Sequence, residues 1–106
     1  MAELRFRARV LDVIAAIPEG RATTYGTIAR HLGLTARQVA SVLSSFTKEE
    51  SATLPWFRVV AANGVISTVK LGAVGRRQIA RLRAEGATIT PRNKIADFEM
   101  VLWKPT

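Results

Sequence analysis

Residues 23–46 contain the pattern that decides the fold, with the sequence TTYGTIARHLGLTARQVASVLSSF. Either Thr23 or Thr24 can cap a helix by accepting a hydrogen bond from a backbone N–H in its first turn. Apolar side chains then recur at helical spacing, at Tyr25, Ile28, Ala29 and Leu32. Gly33 suits the left-handed position just past a helix end. The stretch therefore predicts a short amphipathic helix followed by a tight turn.

A second short helix is predicted from a cap at Thr35 to about Phe46. Its apolar stripe consists of Val39, Val42, Leu43 and Phe46. Its opposite face carries Arg37, Ser41, Ser44 and Lys48. Two short helices joined by a glycine turn indicate a helix-turn-helix motif, although other small helical domains share this spacing.

Further helices are predicted on both sides of this motif. Residues 4–17 have apolar side chains at helical spacing and are followed by Pro18, which favours a helix end there. A basic helix is predicted from residue 73 or 74 to residue 85, where Gly86 closes it.

The segments between these helices predict loops and one hairpin. Residues 48–53 are polar, and residues 68–75 contain two glycines, so both are expected to be loops. Residues 59–61 and 65–66 are apolar and flank Asn63-Gly64, a pair typical of tight hairpin turns. The predicted fold class is mostly α with a small β-hairpin.

The composition predicts a single domain over residues 1–106, with 48% hydrophobic residues to form a core. The apolar runs are too short to span a membrane, and no signal peptide pattern is recognised. The chain has no cysteine, and its one histidine, His31, lacks companions for binding a metal. We therefore expect no metal, no cofactor and no thiol nucleophile, in a monomeric cytoplasmic protein that would associate with the nucleoid in a bacterium.

Charge is the first indication of function. Sixteen Lys and Arg residues against eight Asp and Glu give a net charge of +8. Residues 20–48 and 51–84 contain no acidic residue at all. Such a surface favours a polyanion as partner, with general solubility as the simpler explanation.

Four segments that occur in order resemble a known family. They are YGTIA at residues 25–29, ARQV at 36–39, PWFRV at 55–59 and AEG at 84–86. Together they are similar to the DNA-binding domain of the O6-alkylguanine-DNA alkyltransferases, over roughly residues 5–86. The resemblance implies a winged helix-turn-helix fold and double-stranded DNA containing O6-alkylguanine as the ligand.

The repair enzymes of that family carry Pro-Cys-His-Arg, in which the cysteine accepts the alkyl group. Here Trp56 stands where the cysteine would be, and Phe57 replaces the histidine that activates it. Trp56 and the closing residues 102–105 look like the non-enzymatic branch, the alkyltransferase-like proteins. This resemblance implies a protein that binds the lesion without transferring the alkyl group, and that passes it to nucleotide excision repair proteins.

The resemblance also implies roles for residues of the helix-turn-helix motif. Arg37 would fill the gap left by a flipped base, with a simple phosphate contact as the alternative. Tyr25 would promote rotation of the phosphate next to the target, although its spacing also fits a core tyrosine. The second helix would enter the minor groove with a slim face formed by Ala36, Ala40, Ser41 and Ser44.

A pocket for the alkylated guanine is expected beside this helix. Its predicted lining is Trp56, Phe57, Val59, Ser67 and Lys70, the last two in a loop that closes over the base. Aromatic faces stack on bases, although aromatic side chains in a small domain are by default core residues. Arg58 and Glu85 are expected to hold segments together and not to touch DNA.

Three other functions fit parts of the sequence. A winged-helix transcription regulator would read the major groove, but only Arg37 and Gln38 of the second helix are base-reading side chains. An alkyltransferase enzyme would need an acceptor cysteine, which the chain lacks. A nonspecific basic protein would bind modified and unmodified duplexes alike.

Overall fold

A computed structural model describes residues 2–106, with side chains from Phe6 onward. The helices are α1 (Ala2–Ala16), α2 (Tyr25–Leu32), α3 (Ala36–Ser44), α4 (Lys48–Thr53), α5 (Ala73–Ala84) and α6 (Phe98–Val101). Two short strands, β1 (Thr23–Thr24) and β2 (Val59–Val60), form the sheet. The mostly helical fold class predicted from the sequence is confirmed, and none of these described helices is long and apolar enough to cross a membrane.

The helix-turn-helix motif forms where it is predicted. The Thr24 hydroxyl caps α2 by accepting a hydrogen bond from the Thr27 N–H at 3.0 Å. Gly33 ends α2 in the left-handed conformation, with φ of 72°. Thr35 and Gln38 then form a reciprocal capping box that starts α3, with hydrogen bonds of 3.1 and 2.9 Å. Helix α3 ends two residues before the predicted Phe46, at Ser44.

The prediction of a loop over residues 48–53 is wrong, because these residues form α4. Thr47 and Glu50 make a second capping box, with hydrogen bonds of 3.1 and 2.9 Å. A threonine followed three residues later by glutamate is a helix-start pattern. Arg7 of α1 donates to both Glu50 carboxylate oxygens, at 2.9 and 2.6 Å, and thereby ties α4 to the body of the protein. The hydrogen bonds from Arg7 lower the pKa of Glu50 to about 2.

The predicted hairpin is present only as its turn. Asn63 and Gly64 both have positive φ, and Ala61 N–H donates to the Val65 carbonyl at 2.8 Å. The strand before the turn, however, pairs in parallel with β1, with Thr23 opposite Val59 and Thr24 opposite Val60. Val65 instead bridges to Lys94. The sheet therefore forms between distant segments and not within a hairpin.

The strand pair separates two hydrophobic clusters. Successive residues of a strand point to opposite faces, so Val59 packs with α1, α2 and α3 while Val60 packs on the other side. The first cluster is centred on Val10, Ile14, Ile28 and Val39. The second joins Phe57, Ile66, Leu82, Ile95 and Phe98. Each face of the small sheet thus anchors one half of the domain.

Helix α5 forms where it is predicted, but the segment before it, which is predicted to be a loop, is mostly helical. Residues Ser67–Leu71 form a 3₁₀ helix, and α5 begins two residues later. The tail returns to β1, where Ala22 N–H donates to Val101 at 3.0 Å and Trp103 N–H donates to Ala22 at 2.7 Å. This pairing fixes the end of the chain against the middle of the fold.

Candidate nucleic-acid interface

A cleft of about 890 Å³ lies between two walls of the molecule. One wall consists of α3, α4 and the segment that joins them, and the other consists of the 3₁₀ segment Ser67–Leu71 and α5. Lining residues include Tyr25, Ala40, Ser44, Phe46, Lys48, Trp56, Val59, Leu71, Arg77, Gln78 and Arg81. Its volume lies in the range of pockets that take small molecules.

Tyr25 opens α2 and lines the cleft. Its ring also packs against the first hydrophobic cluster, so the tyrosine is half-buried. Burial raises the pKa of Tyr25, while a hydrogen bond with the Ser67 side chain opposes this shift. The phenol is therefore neutral at pH 7, and its O–H can donate a hydrogen bond. Tyr25 thus has the packing of a core residue and the position of a site residue.

Trp56 lines the cleft, whereas Phe57 does not. Trp56 is half-buried, and its ring meets the Phe57 ring edge-on, with centroids 6.1 Å apart. Phe57 is 3% exposed and belongs to the second hydrophobic cluster. The Arg58 and Arg81 guanidinium groups lie 5.2 and 4.7 Å from its ring centroid. The prediction of Phe57 as a pocket residue is therefore corrected, because the 3₁₀ turn Trp56–Arg58 points the two aromatic rings in different directions.

Val59 also lines the cleft, and its backbone groups are already in use. Its N–H donates to the Trp56 carbonyl, and its carbonyl accepts a hydrogen bond from the Gln78 side chain at 2.9 Å. Both backbone groups of Val59 are therefore hydrogen-bonded within the protein.

Gln78 is a site residue that the sequence analysis did not identify. Its side chain is 1% exposed and lines the cleft from α5. The amide nitrogen donates to the Phe57 carbonyl at 3.0 Å and to the Val59 carbonyl at 2.9 Å, while the amide oxygen accepts from the Thr68 hydroxyl. One side chain thus fixes the Trp56–Val59 segment to the opposite wall. The sequence pattern that indicates this role is a polar residue at helical spacing from Gly75 and Leu82, which are both buried in α5.

Replacing Gln78 by Met, which has a similar length, is expected to destabilise the fold by about 1–3 kcal/mol, because buried carbonyls lose their donor. The melting temperature should fall by roughly 4–8 °C for each kcal/mol. The same substitution at partly exposed Gln38 is the matched control. It should lower the free energy of unfolding by less, since water can replace the hydrogen bond between the Gln38 amide oxygen and the Thr35 N–H. Equal melting temperatures for Gln78→Met and the unmodified protein would contradict this role.

Arg58 and Glu85 join distant segments, as the sequence analysis expected. Arg58 donates to Glu85 through two nitrogen atoms and to the Ile17 carbonyl at 2.8 Å. Burial raises the pKa of Glu85, but hydrogen bonds from Arg58 and from the Gly20 N–H outweigh it, so the pKa lies below its ordinary value. The pair connects the end of α1, the 3₁₀ turn Trp56–Arg58 and the end of α5.

The cleft has a positive rim. Lys48, Arg77 and Arg81 line it, and none of its lining residues in the described chain is acidic. Arg58 is paired with Glu85 and does not line the cleft. The charge available at the cleft therefore attracts a polyanion.

Helix α3 presents its slim face next to the cleft. Ala36, Arg37, Ser41 and Ser44 are exposed, and Ala40 is half-buried. Ala40 and Ser44 line the cleft, whereas Ala36, Arg37 and Ser41 lie outside it on the same helix. Arg37 is the second residue of α3 and takes part in neither of the two ion pairs found among the side chains of residues 6–106.

The segment Ser67–Leu71 contributes different residues from those predicted. Ser67 and Lys70 are exposed and do not line the cleft, although Ser67 contacts Tyr25. Thr68 and Leu71 line it instead. Leu71 is 64% exposed, which is unusual for a leucine and leaves an apolar side chain at the cleft edge. In addition, the side chains that the structure describes, from Phe6 onward, contain no cluster of three potential metal ligands.

Known proteins are similar to this chain in sequence. Residues 5–87 match the family described as 6-O-methylguanine DNA methyltransferase, DNA binding domain. The chain is 42% identical to the DNA base-flipping protein of Escherichia coli K12, over 92% of this chain and 74% of that protein. It is 35% identical to alkyltransferase-like protein 1 of Schizosaccharomyces pombe, over 94% of this chain and 95% of that protein.

The fold of this chain is also similar to the folds of solved structures. The crystal structure of S. pombe Atl1 in complex with damaged DNA containing O6-carboxymethylguanine superposes with a TM-score of 0.81, at 34% identity, over 95% of this chain and 96% of that one. An alkyltransferase structure from Mycobacterium tuberculosis superposes with a TM-score of 0.62 at 27% identity, over 90% of this chain and 53% of that one. The chain therefore belongs to the family of 6-O-methylguanine DNA methyltransferase DNA-binding domains, and within it to the alkyltransferase-like proteins.

Proposed function

We propose that this protein binds double-stranded DNA containing O6-alkylguanine and flips the damaged base into the cleft without removing the alkyl group. The observation that supports this most directly is the cleft itself, which brings Tyr25, Trp56 and a cationic rim together beside the exposed face of α3. The relative named as a DNA base-flipping protein supports the flipping, and the S. pombe complex with O6-carboxymethylguanine DNA supports the ligand.

Base flipping costs a few kcal/mol of stacking and pairing, and the cost is lower for a damaged base pair. We assign Arg37 to the vacated position in the stack, because its planar guanidinium can stack on bases and donate hydrogen bonds. Tyr25, which lines the cleft, would hold the rotated phosphate through its neutral O–H. The slim face of Ala36, Ala40, Ser41 and Ser44 would allow α3 to approach the minor groove, which is about 6 Å wide in B-DNA.

Trp56 would stack on the extruded base inside the cleft, while Leu71 would cover it from the opposite wall. The side chain at position 56 offers an indole, which is not a nucleophile for alkyl transfer, and the chain has no cysteine. The complex would therefore persist on the lesion. A persistent complex could then mark the site for nucleotide excision repair proteins.

A winged-helix regulator that reads the major groove is less well supported. Of its two candidate base-reading side chains in α3, Gln38 has its amide oxygen engaged in the capping box with Thr35. Arg37 alone would provide little sequence discrimination.

The test uses duplexes that carry radiolabelled O6-methylguanine. We expect tighter binding than to the matching guanine duplex, a strong decrease of affinity with salt, and label that remains on the DNA. Stoichiometric label on the protein would contradict the non-enzymatic proposal. Equal affinity for both duplexes over a range of salt concentrations would instead favour a nonspecific basic protein.

A further inference from the structure

The positively charged side chains of the cleft differ in the contacts that they make within the protein. Arg81 lies 4.7 Å from the centre of the Phe57 ring, and its charge also acts on Glu85. Lys48 is the first residue of α4, on the opposite wall. Arg77 is exposed, lines the cleft one helical turn before Arg81, and takes part in neither ion pair nor aromatic contact of the described residues. Lys48 is likewise exposed and outside these contacts, so Arg77 is the one guanidinium of the cleft that the described fold leaves available to a bound group.

The cleft is also larger than a methylated base requires. Its volume of about 890 Å³ is near the upper end of the range for pockets that enclose a drug-sized ligand. The base plane would meet half-buried Trp56, whereas the cations are exposed residues of α4 and α5. A long substituent on the guanine O6 could extend from the base toward these cations.

We propose that the cleft selects O6 substituents that carry a negative charge, such as a carboxymethyl group, over neutral substituents of the same size, and that Arg77 is the residue that reads this charge. This proposal rests on the function proposed above. A guanidinium binds a carboxylate with two parallel hydrogen bonds, which an amide of the same shape cannot reproduce. No acidic side chain lines the described cleft to compete for the guanidinium.

The test compares three duplexes that differ only at the target base: guanine, O6-carboxymethylguanine and its neutral analogue O6-carbamoylmethylguanine. We expect the unmodified protein to bind the anionic lesion about fivefold more tightly than the neutral one, as for a partly exposed ion pair. Arg77→Gln should bind both lesions equally and still prefer them to guanine.

Arg76→Gln is the matched control, because Arg76 is an exposed neighbour on the same helix that does not line the cleft. It removes the same charge and should retain the fivefold preference. If Arg77→Gln also retains it, or weakens binding to all three duplexes by the same factor with a smaller salt slope, Arg77 is a phosphate contact and the proposal is wrong. Equal binding of the two lesions by the unmodified protein would likewise overturn it. Failure of the unmodified protein to distinguish either lesion from guanine would instead overturn the proposed function.

Discussion

Replacing Gly75 by Ala is expected to destabilise the protein by about 2–3 kcal/mol, although alanine is the better helix former by roughly 1 kcal/mol. Gly75 lies in α5 where the helix packs directly on the segment Ser67–Leu71. A Cβ atom there would be 2.6 Å from the Thr68 carbonyl oxygen and 2.6 Å from the Val69 Cα. Both are backbone atoms, so the whole segment would have to move.

Gly26→Ala is the matched control for this prediction, since Gly26 is also a helical glycine with negative φ. Its added Cβ would meet only the end of the Arg30 side chain at 3.4 Å and the Thr24 hydroxyl at 3.9 Å. The same substitution should therefore leave stability unchanged or raise it by up to about 1 kcal/mol. Urea denaturation of the three proteins measures both effects. A Gly75→Ala protein as stable as Gly26→Ala would show that the contact with the segment is not tight.

The displaced segment also matters for function, because Thr68 and Leu71 line the cleft. Gly75→Ala should therefore weaken lesion binding at temperatures where the protein is still folded. Binding is measured well below the melting temperature, so that loss of affinity is separated from unfolding.

The local parts of this fold could be predicted from the sequence. Thr35 with Gln38, and Gly33 with its left-handed conformation, define the helix-turn-helix by contacts within a few residues. Helix α4 follows from the same kind of local signal, Thr47 with Glu50, and was missed because its six residues have no apolar stripe. Periodicity detects only helices that bury one face.

The long-range parts could not be predicted. The pairing of β1 with β2 joins residues 36 positions apart, and no turn residue specifies it. The position of Phe57 depends on the 3₁₀ turn and on the two arginines at its ring, one of which comes from α5. Gln78 acts across the cleft on the Phe57 and Val59 carbonyls. The resemblance to a family indicated which segments form the site, whereas the contacts between those segments appear only in the folded chain.

Arg37→Ala is expected to weaken binding to an O6-alkylguanine duplex by on the order of a few kcal/mol without lowering the stability of the fold. Arg37 is exposed, takes part in neither described ion pair, and alanine suits α3 at least as well. What is lost is the group that we assign to the gap left by the flipped base, so the cost of unstacking is no longer offset. A fluorescent base analogue beside the target measures base extrusion directly, and titrations at several salt concentrations measure affinity.

Arg92→Ala is the control for charge in this experiment, because Arg92 is an exposed residue outside the helix-turn-helix and does not line the cleft. It should keep base extrusion and the preference for the lesion, since it removes only a share of the general attraction for DNA. Arg37→Ala should lose the fluorescence change of extrusion together with most of the lesion preference. If Arg37→Ala behaves as Arg92→Ala does, with the base still extruded and with a uniform, salt-dependent decrease of affinity for all duplexes, then Arg37 contacts a phosphate and another residue fills the stack.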